Sequence, residues 1–272
     1  MTRRRRSLRT RPVLVAALVA ASGACGGGGA AATDPGSGTA PELAANAPEA
    51  GKPLTADQAN HLAGMLLRNY RAGGAEFRAT VPYGPAATFV VDGAVDWRTH
   101  IGRATLETRF GDGRTAQRSE LRFTTDAVYD GQVADWPADL EAAGLTGVRW
   151  VSRRPDPQRV PLDVVLALVL GLASDRTENP LLVRQDDTGY LGTKELDGET
   201  VEGYRYQQRT RYWLAVDGGE LRRLEADLAV ASGTTTIEFR LGPNEVDAPN
   251  PAEVVGIDQL PAPLRDRLTG GG

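Results

Sequence analysis

The stretch LRRLEADLAV at residues 221–230 alternates apolar and charged side chains, and TTTIEFRL at residues 234–241 repeats the alternation. A period of two places successive side chains on opposite faces of a β-strand. One face of each segment is therefore apolar, while the other carries charged residues such as Arg223, Glu225 and Glu238. Two such strands joined by a short polar turn predict an antiparallel pair with one buried face and one solvated face.

The same alternation recurs along most of the chain. It predicts further strands at residues 76–82, 88–97, 101–110, 116–124, 127–130, 148–152, 190–196, 200–207 and 211–216. Asp197-Gly198 is typical of a hairpin turn, whereas Asp92-Gly93 inside a strand pattern is consistent with either a tight turn or a bulge. An antiparallel run of about ten strands curls rather than staying flat. We therefore predict a strongly curved antiparallel sheet, that is, a half-open β-barrel.

Helices are predicted before the sheet, in its middle and at its end. Thr55-Ala56-Asp57-Gln58 has the spacing of a capping box, and the apolar period after it predicts a helix ending near Gly73-Gly74. Residues 161–172 are apolar nearly all round, which favours a helix buried on most sides and stopped by Asn179-Pro180. Shorter helices are predicted at residues 137–143 and 258–268. The expected fold class is α+β, with helices covering the concave face of the sheet.

Cys25, the only cysteine, directly follows a leader-like segment. That segment has six arginines within its first eleven residues, an apolar run at residues 13–21 and small residues at 22–24. The run is shorter than the ~20 residues that a membrane span needs. We predict a signal peptide at residues 1–24 and acylation of Cys25, because two acyl chains give stable anchoring. The alternative is a cleaved leader with an incidental cysteine.

The segment from Cys25 to residue 54 is rich in Gly, Ala, Pro, Ser and Thr and is predicted to be a flexible tether. Residues 55–272 have the length of one domain. Arg5-Arg6-Ser7-Leu8 is similar to a twin-arginine export signal, so both the general and the twin-arginine routes stay open. With a single cysteine, no intrachain disulfide can form.

Charge excludes some partners. Removal of the six leader arginines leaves 25 basic residues against 35 acidic ones, a net charge of −10. An acidic chain of this kind argues against nucleic acid as a partner and against polybasic binding to anionic lipid headgroups. Only Lys52 and Lys194 are lysines, and this preference for arginine is typical of a GC-rich genome such as that of an actinobacterium.

Residues that could carry catalysis are scarce, so we predict neither an enzyme nor a metal or cofactor site. His61 lies on the first predicted helix and His100 in a turn beside Trp97, and both favour structural or solvated roles. No zinc-like spacing, phosphate-binding glycine loop or nucleophile elbow is present in the sequence. Asp186-Asp187 is the one acidic doublet that could hold an ion, and a polar turn is the favoured interpretation.

The apolar face of the curved sheet is the remaining candidate site. It is either filled by the covering helices, as in an ordinary core, or it leaves an apolar cavity of ~300–1,000 Å³ for a ligand. The candidate cavity residues are Leu106, Phe110, Leu121, Phe123, Trp213, Leu224, Leu228, Ile237 and Phe239. Acyl chains need no specific polar partner, which would explain why such a site leaves no motif.

Several segments resemble the LolA/LolB-like fold and, within it, the LppX/LprG-type actinobacterial lipoproteins. They are the lipobox-like Ser22-Gly23-Ala24-Cys25 (with Ser22 where an aliphatic residue is usual), the string at residues 89–97, Leu196-Asp197-Gly198, and residues 212–224. The resemblance implies a half-barrel plugged by helices that binds or carries a lipid, glycolipid or acylated molecule. The expected location is the extracytoplasmic face of the cell membrane, through the acyl chains. The alternative function is a ligand-free sensor or a protein-interaction module of the envelope.

Overall fold

Twelve strands form one open sheet in the computed structural model, which describes residues 51–131, 136–185 and 187–268. The first half of the chain contributes β1 (Gly74–Tyr83), β2 (Ala87–Asp96), β3 (Ile101–Phe110), β4 (Gln117–Phe123), β5 (Val128–Gly131) and β6 (Trp150–Arg153). The second half contributes β7 (Thr188–Leu196), β8 (Glu199–Tyr206), β9 (Thr210–Ala215), β10 (Leu221–Asp227), β11 (Thr234–Leu241) and β12 (Val254–Gly256).

The described helices are short. They are α1 (Ala56–Ala63), α2 (Met65–Ala72), α3 (Trp136–Ala142), α4 (Pro161–Gly171), α5 (Pro180–Gln185) and α6 (Ala262–Leu268), together with single 3₁₀ turns at Pro251–Glu253 and Ile257–Gln259. None of the described helices is long and apolar enough to cross a membrane.

Strand order across the sheet is β12-β6-β5-β4-β3-β2-β1-β11-β10-β9-β8-β7. All neighbours pair antiparallel except β12 and β6, which are parallel. The architecture is therefore a mostly-sheet α+β fold, as predicted, and its open sheet is broadly consistent with a half-open barrel. The predicted number of strands, about ten, was low because β12 is only three residues long.

Three local predictions need correction. The helix predicted from residue 55 begins with the expected capping box on Thr55, but it breaks at Gly64 into α1 and α2. Asn179-Pro180 does not simply stop a helix; Pro180 is the first residue of α5, where its missing N–H is no loss. Asp92-Gly93 is neither a turn nor a bulge, because β2 keeps regular register there. Gly93 lies opposite Phe77, and a Cβ on it would come 2.8 Å from the Phe77 ring.

The apolar face of the sheet forms the main core. Residues such as Phe77, Val91, Leu121 and Ile237 share one buried cluster with residues of α1, α2, α4 and α5, and α4 packs against β1 and β2. A smaller cluster holds Leu140, Val151, Val255 and Leu260.

The described chain begins inside the segment that composition assigned to the tether. Lys52 forms a β-bridge with Tyr190 of β7, and the Leu54 side chain is buried in the main core. The signal peptide, Cys25 and the rest of the tether lie outside the described residues.

Candidate functional site

A groove of about 810 Å³ lies on the charged face of the sheet, opposite the apolar core. It runs across β1–β4, β10 and β11 and reaches the hairpin between β7 and β8. Six carboxylates and five guanidinium groups line it: Glu76, Asp92, Glu120, Asp197, Glu199, Glu238, Arg78, Arg103, Arg122, Arg222 and Arg240. Its floor includes Gly93 and Ala94, and Ala94 is only 3% exposed.

Most charges of the groove are paired between strands of the sheet. Arg78 Nη1 lies 3.0 Å from Asp92 Oδ1, and Arg222 Nε lies 2.6 Å from Glu199 Oε2. The hydrogen bond from Arg222 lowers the pKa of the Glu199 carboxyl. Such solvent-facing pairs each stabilise the fold by about 0–1 kcal/mol, so the groove presents an ordered pattern of charge rather than a large source of stability.

Arg103 and Arg122 break this pattern of opposite charges. They are directly opposite one another on β3 and β4 and line the same groove. Among the described residues, no carboxylate lies within ion-pair distance of either guanidinium. Burial, more than any neighbour, lowers the pKa of Arg122; Glu120 opposes this change and Arg103 adds to it.

The candidate cavity residues of the apolar face mostly come together. Leu121, Phe123, Leu224, Ile237 and Phe239 belong to the main core, and Leu106 and Leu228 pack against it half-buried. Phe110, at the end of β3, is half-buried under the guanidinium of Arg114, 4.1 Å from its ring centroid.

Trp213 lies on the other face from these residues. It is opposite Arg223 and Gly203 in the register, and Lys194 Nζ sits 3.3 Å from its ring centroid. Sequence alone left its face ambiguous, because both neighbours, Tyr212 and Leu214, are also apolar. The structure thus brings eight of the nine predicted residues to the apolar face or its margin.

Helix α4 is fixed at its C-terminal end by side chains from other elements. Trp97 Nε1 donates to the Val169 carbonyl at 2.8 Å, and Asn69 Nδ2 donates to the Leu172 carbonyl at 2.7 Å. His100 is exposed in a turn, as predicted, and its Nδ1 lies 3.3 Å from the Leu170 carbonyl. These partners satisfy carbonyls that a helix end leaves open.

The N-terminal end of α4 is held by a buried ion cluster. Arg153 forms a two-pronged pair with Asp163, at 2.6 and 2.8 Å, and Asp163 also accepts from the Asp156 backbone N–H. Asp130 lies 3.4 Å from the same guanidinium. Burial raises the pKa of the Asp130 carboxyl, and Arg153 offsets part of that rise.

His61 lies in a second polar cluster, where α1 meets β8. Its Nδ1 is 3.3 Å from Glu202 Oε2, which also accepts a 2.5 Å hydrogen bond from the Tyr204 hydroxyl. Arg68 donates to the Gly219 carbonyl at 2.7 Å and to the His61 carbonyl at 2.5 Å. Burial and the charge of Arg68 lower the pKa of His61, against the opposing field of Glu202. Its role here is structural, at the junction of a helix and the sheet.

The ion site considered at Asp186-Asp187 is not assembled within the described chain. Asp187 pairs with Arg205 at 3.1 Å, and Asp186 lies outside the described residues. Across the part of the chain that the structure describes, no three His, Cys, Asp or Glu side chains group closely enough to hold a metal ion.

The groove was missed from the sequence because its residues alternate as charges on any solvated strand face do. The one sequence signal for a charged site was the high density of arginine and glutamate on both sides of the β3–β4 connection. That signal does not show that Arg103 lies opposite Arg122, because their juxtaposition depends on the register of the two strands.

No family model and no curated protein matches the chain. Similar solved structures include an uncharacterised conserved protein from Thermus thermophilus, with TM-score 0.35, 10% identity and coverage of 70% of this chain and 94% of that chain. MucB has TM-score 0.33 and 17% identity, with coverage of 76% of this chain and 63% of that chain. A LolA superfamily protein from Nitrosomonas europaea has TM-score 0.24 and 7% identity, with coverage of 71% and 96%. All these TM-scores lie below 0.5, so the resemblance to LppX/LprG-type lipoproteins stays a prediction.

Proposed function

We propose that the protein is a membrane-anchored binding protein of the cell envelope that recognises another protein through the charged groove. One observation carries this proposal: the groove lies on the charged face of the sheet and is lined by arginines and carboxylates. The anchor would be the acylated Cys25, with the domain on the extracytoplasmic side, and no catalytic step is proposed.

The lining favours a protein over an acyl chain. An acyl chain in the groove would remove paired charges from water without offering them new partners, and burial of charges is unfavourable unless each is satisfied. A polypeptide carries both signs of charge and backbone hydrogen-bonding groups, so it can complement Arg78, Asp92 and Glu199 in turn. Complementary charge of this kind supplies specificity and a faster encounter.

The contacts of α4 also weigh against acyl binding in the interior. We propose that α4 occupies the space over the apolar face that a lipid would need. The Arg153–Asp163 pair at one end and the Trp97–Val169 hydrogen bond at the other hold α4 in place. On this proposal, a lipid could enter only if at least one of these buried interactions broke.

Photo-cross-linking in intact cells tests the proposed function. A benzophenone amino acid placed at Thr105, which lines the groove, is compared with one at Thr80, which is exposed on the same face outside it. We expect one discrete protein product from Thr105 only, weakened when Arg222→Glu reverses a groove charge. Equal products from both positions, or cross-links to lipid alone, would overturn the proposal.

A second candidate, binding of a hydrophobic ligand on the helical side, is favoured by one observation. Leu181 and Leu182 of α5 are 65% and 57% exposed, and Val164 and Leu168 of α4 are only half-buried. Exposed apolar patches commonly mark sites that bind ligands, membranes or other proteins. A lipid that co-purifies with the acylated protein would favour this candidate over the groove.

A further inference from the structure

We infer that Arg103 and Arg122 form a binding site for an oxyanion, a carboxylate or a phosphate, within the charged groove. The claim that a protein partner is recognised at this site rests on the proposed function. The claim that the site binds an anion does not. The inference starts from the juxtaposition of two like charges on adjacent strands.

Elsewhere in the β3–β4 pair, residues of opposite charge lie across from one another on this face. Four residues along the same two strands, Glu107 is opposite Arg118, and Arg118 donates to Glu107 Oε2 at 2.9 and 2.7 Å. Like charges directly opposite on a sheet are destabilising, while opposite charges stabilise it. The Arg103–Arg122 position therefore departs from the arrangement that would serve the fold best.

A second like-charged pair in the sheet is compensated, which sharpens the contrast. Arg205 and Arg211 are opposite each other on β8 and β9. Arg205 has Asp187 at 3.1 Å, and Arg211 has Asp227 at 3.9 Å. Within the described chain, no carboxylate is that close to Arg103 or Arg122.

Arg122 is held in place by neighbours that form no ion pair with it, although the charge of Glu120 favours its protonated form. Its guanidinium lies 5.2 Å from the ring centroid of Trp150, and its Nη1 donates to the Leu121 carbonyl at 3.3 Å. Trp150 in turn covers Gly131, where a Cβ would come 2.7 Å from the indole ring. Arg103 stands opposite and is exposed to the groove. One arginine is thus fixed, and the other is free to close on a ligand.

The chemistry of two adjacent guanidinium groups selects the ligand. Each offers a planar fork of N–H donors that matches two oxygens of a carboxylate or phosphate. Opposite residues of an antiparallel pair have Cβ atoms about 4.5–5.5 Å apart, so both forks can reach one anion. A bound oxyanion would relieve the repulsion and use donors that otherwise face water.

The test follows the arginine Nε–H signals of the full acylated chain by NMR. The chain is labelled with ¹⁵N-arginine, and sodium phosphate or sodium acetate is added at constant ionic strength, with chloride as the balancing salt. Arg103→Gln and Arg122→Gln assign the two signals. Arg78→Gln is the matched control, because Arg78 lines the same groove but is paired with Asp92.

We expect saturable shifts of the two signals with at least one of the two anions, absent in Arg103→Gln and preserved in Arg78→Gln. A response to acetate indicates a carboxylate ligand, and a response to phosphate alone indicates a phosphate group. Shifts that do not saturate, or that are the same in Arg103→Gln, would overturn the inference. Saturable binding together with no protein cross-link from Thr105 would reject the proposed protein partner and leave the anion site standing.

Discussion

Arg153 of β6 donates two hydrogen bonds to Asp163 in the first turn of α4, at 2.6 and 2.8 Å. The Asp163 side chain is fully buried, so this pair joins the sheet to the apolar helix inside the protein. Together with the hydrogen bond from Trp97 to the Val169 carbonyl, it fixes α4 at both ends. The position of α4 therefore determines how much space is left for a ligand on the apolar side of the sheet.

Replacement of Asp163 should destabilise the domain strongly. Asp163→Ala removes the two-pronged partner of Arg153 and leaves Asp130, 3.4 Å away, as its remaining ionic partner. Removal of one member of a buried ion pair typically costs about 3–5 kcal/mol, and Asp130 should place the loss at the lower end of that range. The free energy of unfolding in urea measures the loss. Asp112→Ala is the matched control, because its pair with Arg114 is exposed and should contribute little. Equal effects of the two changes would show that Asp163 does not hold α4.

A comparison of two Trp→Phe substitutions isolates the contribution of the hydrogen bond at the end of α4 from the effect of losing an indole ring. Trp97→Phe removes the donor to the Val169 carbonyl and leaves that buried carbonyl without it, whereas the Trp213 Nε1 has no partner among the described residues. Trp97→Phe should therefore lower the free energy of unfolding by about 1 kcal/mol or more beyond the effect of Trp213→Phe. A larger loss for Trp213→Phe would contradict the account.

Stability should fall on acidification through the titration of His61. Burial and the Arg68 charge lower its pKa from the ordinary value of 6.5. The unfolded state then binds more protons than the folded state in the window between the lowered pKa and 6.5, so the free energy of unfolding decreases as pH falls through that window. His61→Gln should flatten this part of the pH profile measured by thermal or urea unfolding. A profile unchanged by His61→Gln would contradict the assignment.

A charge reversal at Arg103 should stabilise the free protein. Arg103→Glu places a carboxylate opposite Arg122, and exchange of a like pair for an opposite pair on a sheet is worth about 0.2–1 kcal/mol. The reverse is expected for Arg118→Glu, which removes the partner of Glu107 on the same two strands. Thermal unfolding of both variants, at low salt and without phosphate, checks the two signs. Destabilisation by Arg103→Glu would mean that Arg103 already has a stabilising partner.

Local patterns were enough to place most elements. The Thr55 capping box and the alternation of β3, β10 and β11 depend on neighbours within a few residues, and all were predicted. Strand β12 escaped prediction because it is three residues long and pairs with β6 about a hundred residues earlier. No local signal specifies such a contact.

The candidate site could be predicted only in part, for a similar reason. Which residues share the apolar face follows from alternation, and Leu121, Phe123, Leu224 and Ile237 were placed correctly on it. The register that sets Arg103 opposite Arg122 depends on where the connection between β3 and β4 turns. Which face of the sheet holds a groove depends on the whole sheet, so the charged residues looked like an ordinary solvated surface.

Native mass spectrometry of the protein tests most directly whether the groove, rather than the apolar interior, is the binding surface. The full chain is extracted in mild detergent and measured before and after incubation with excess palmitic acid or phosphatidylglycerol. We predict the mass of the protein without bound lipid in every case, because we propose that α4 occupies the space over the apolar face. A stoichiometric lipid adduct that persists after the excess lipid is removed would contradict the account and would support lipid carriage as the function.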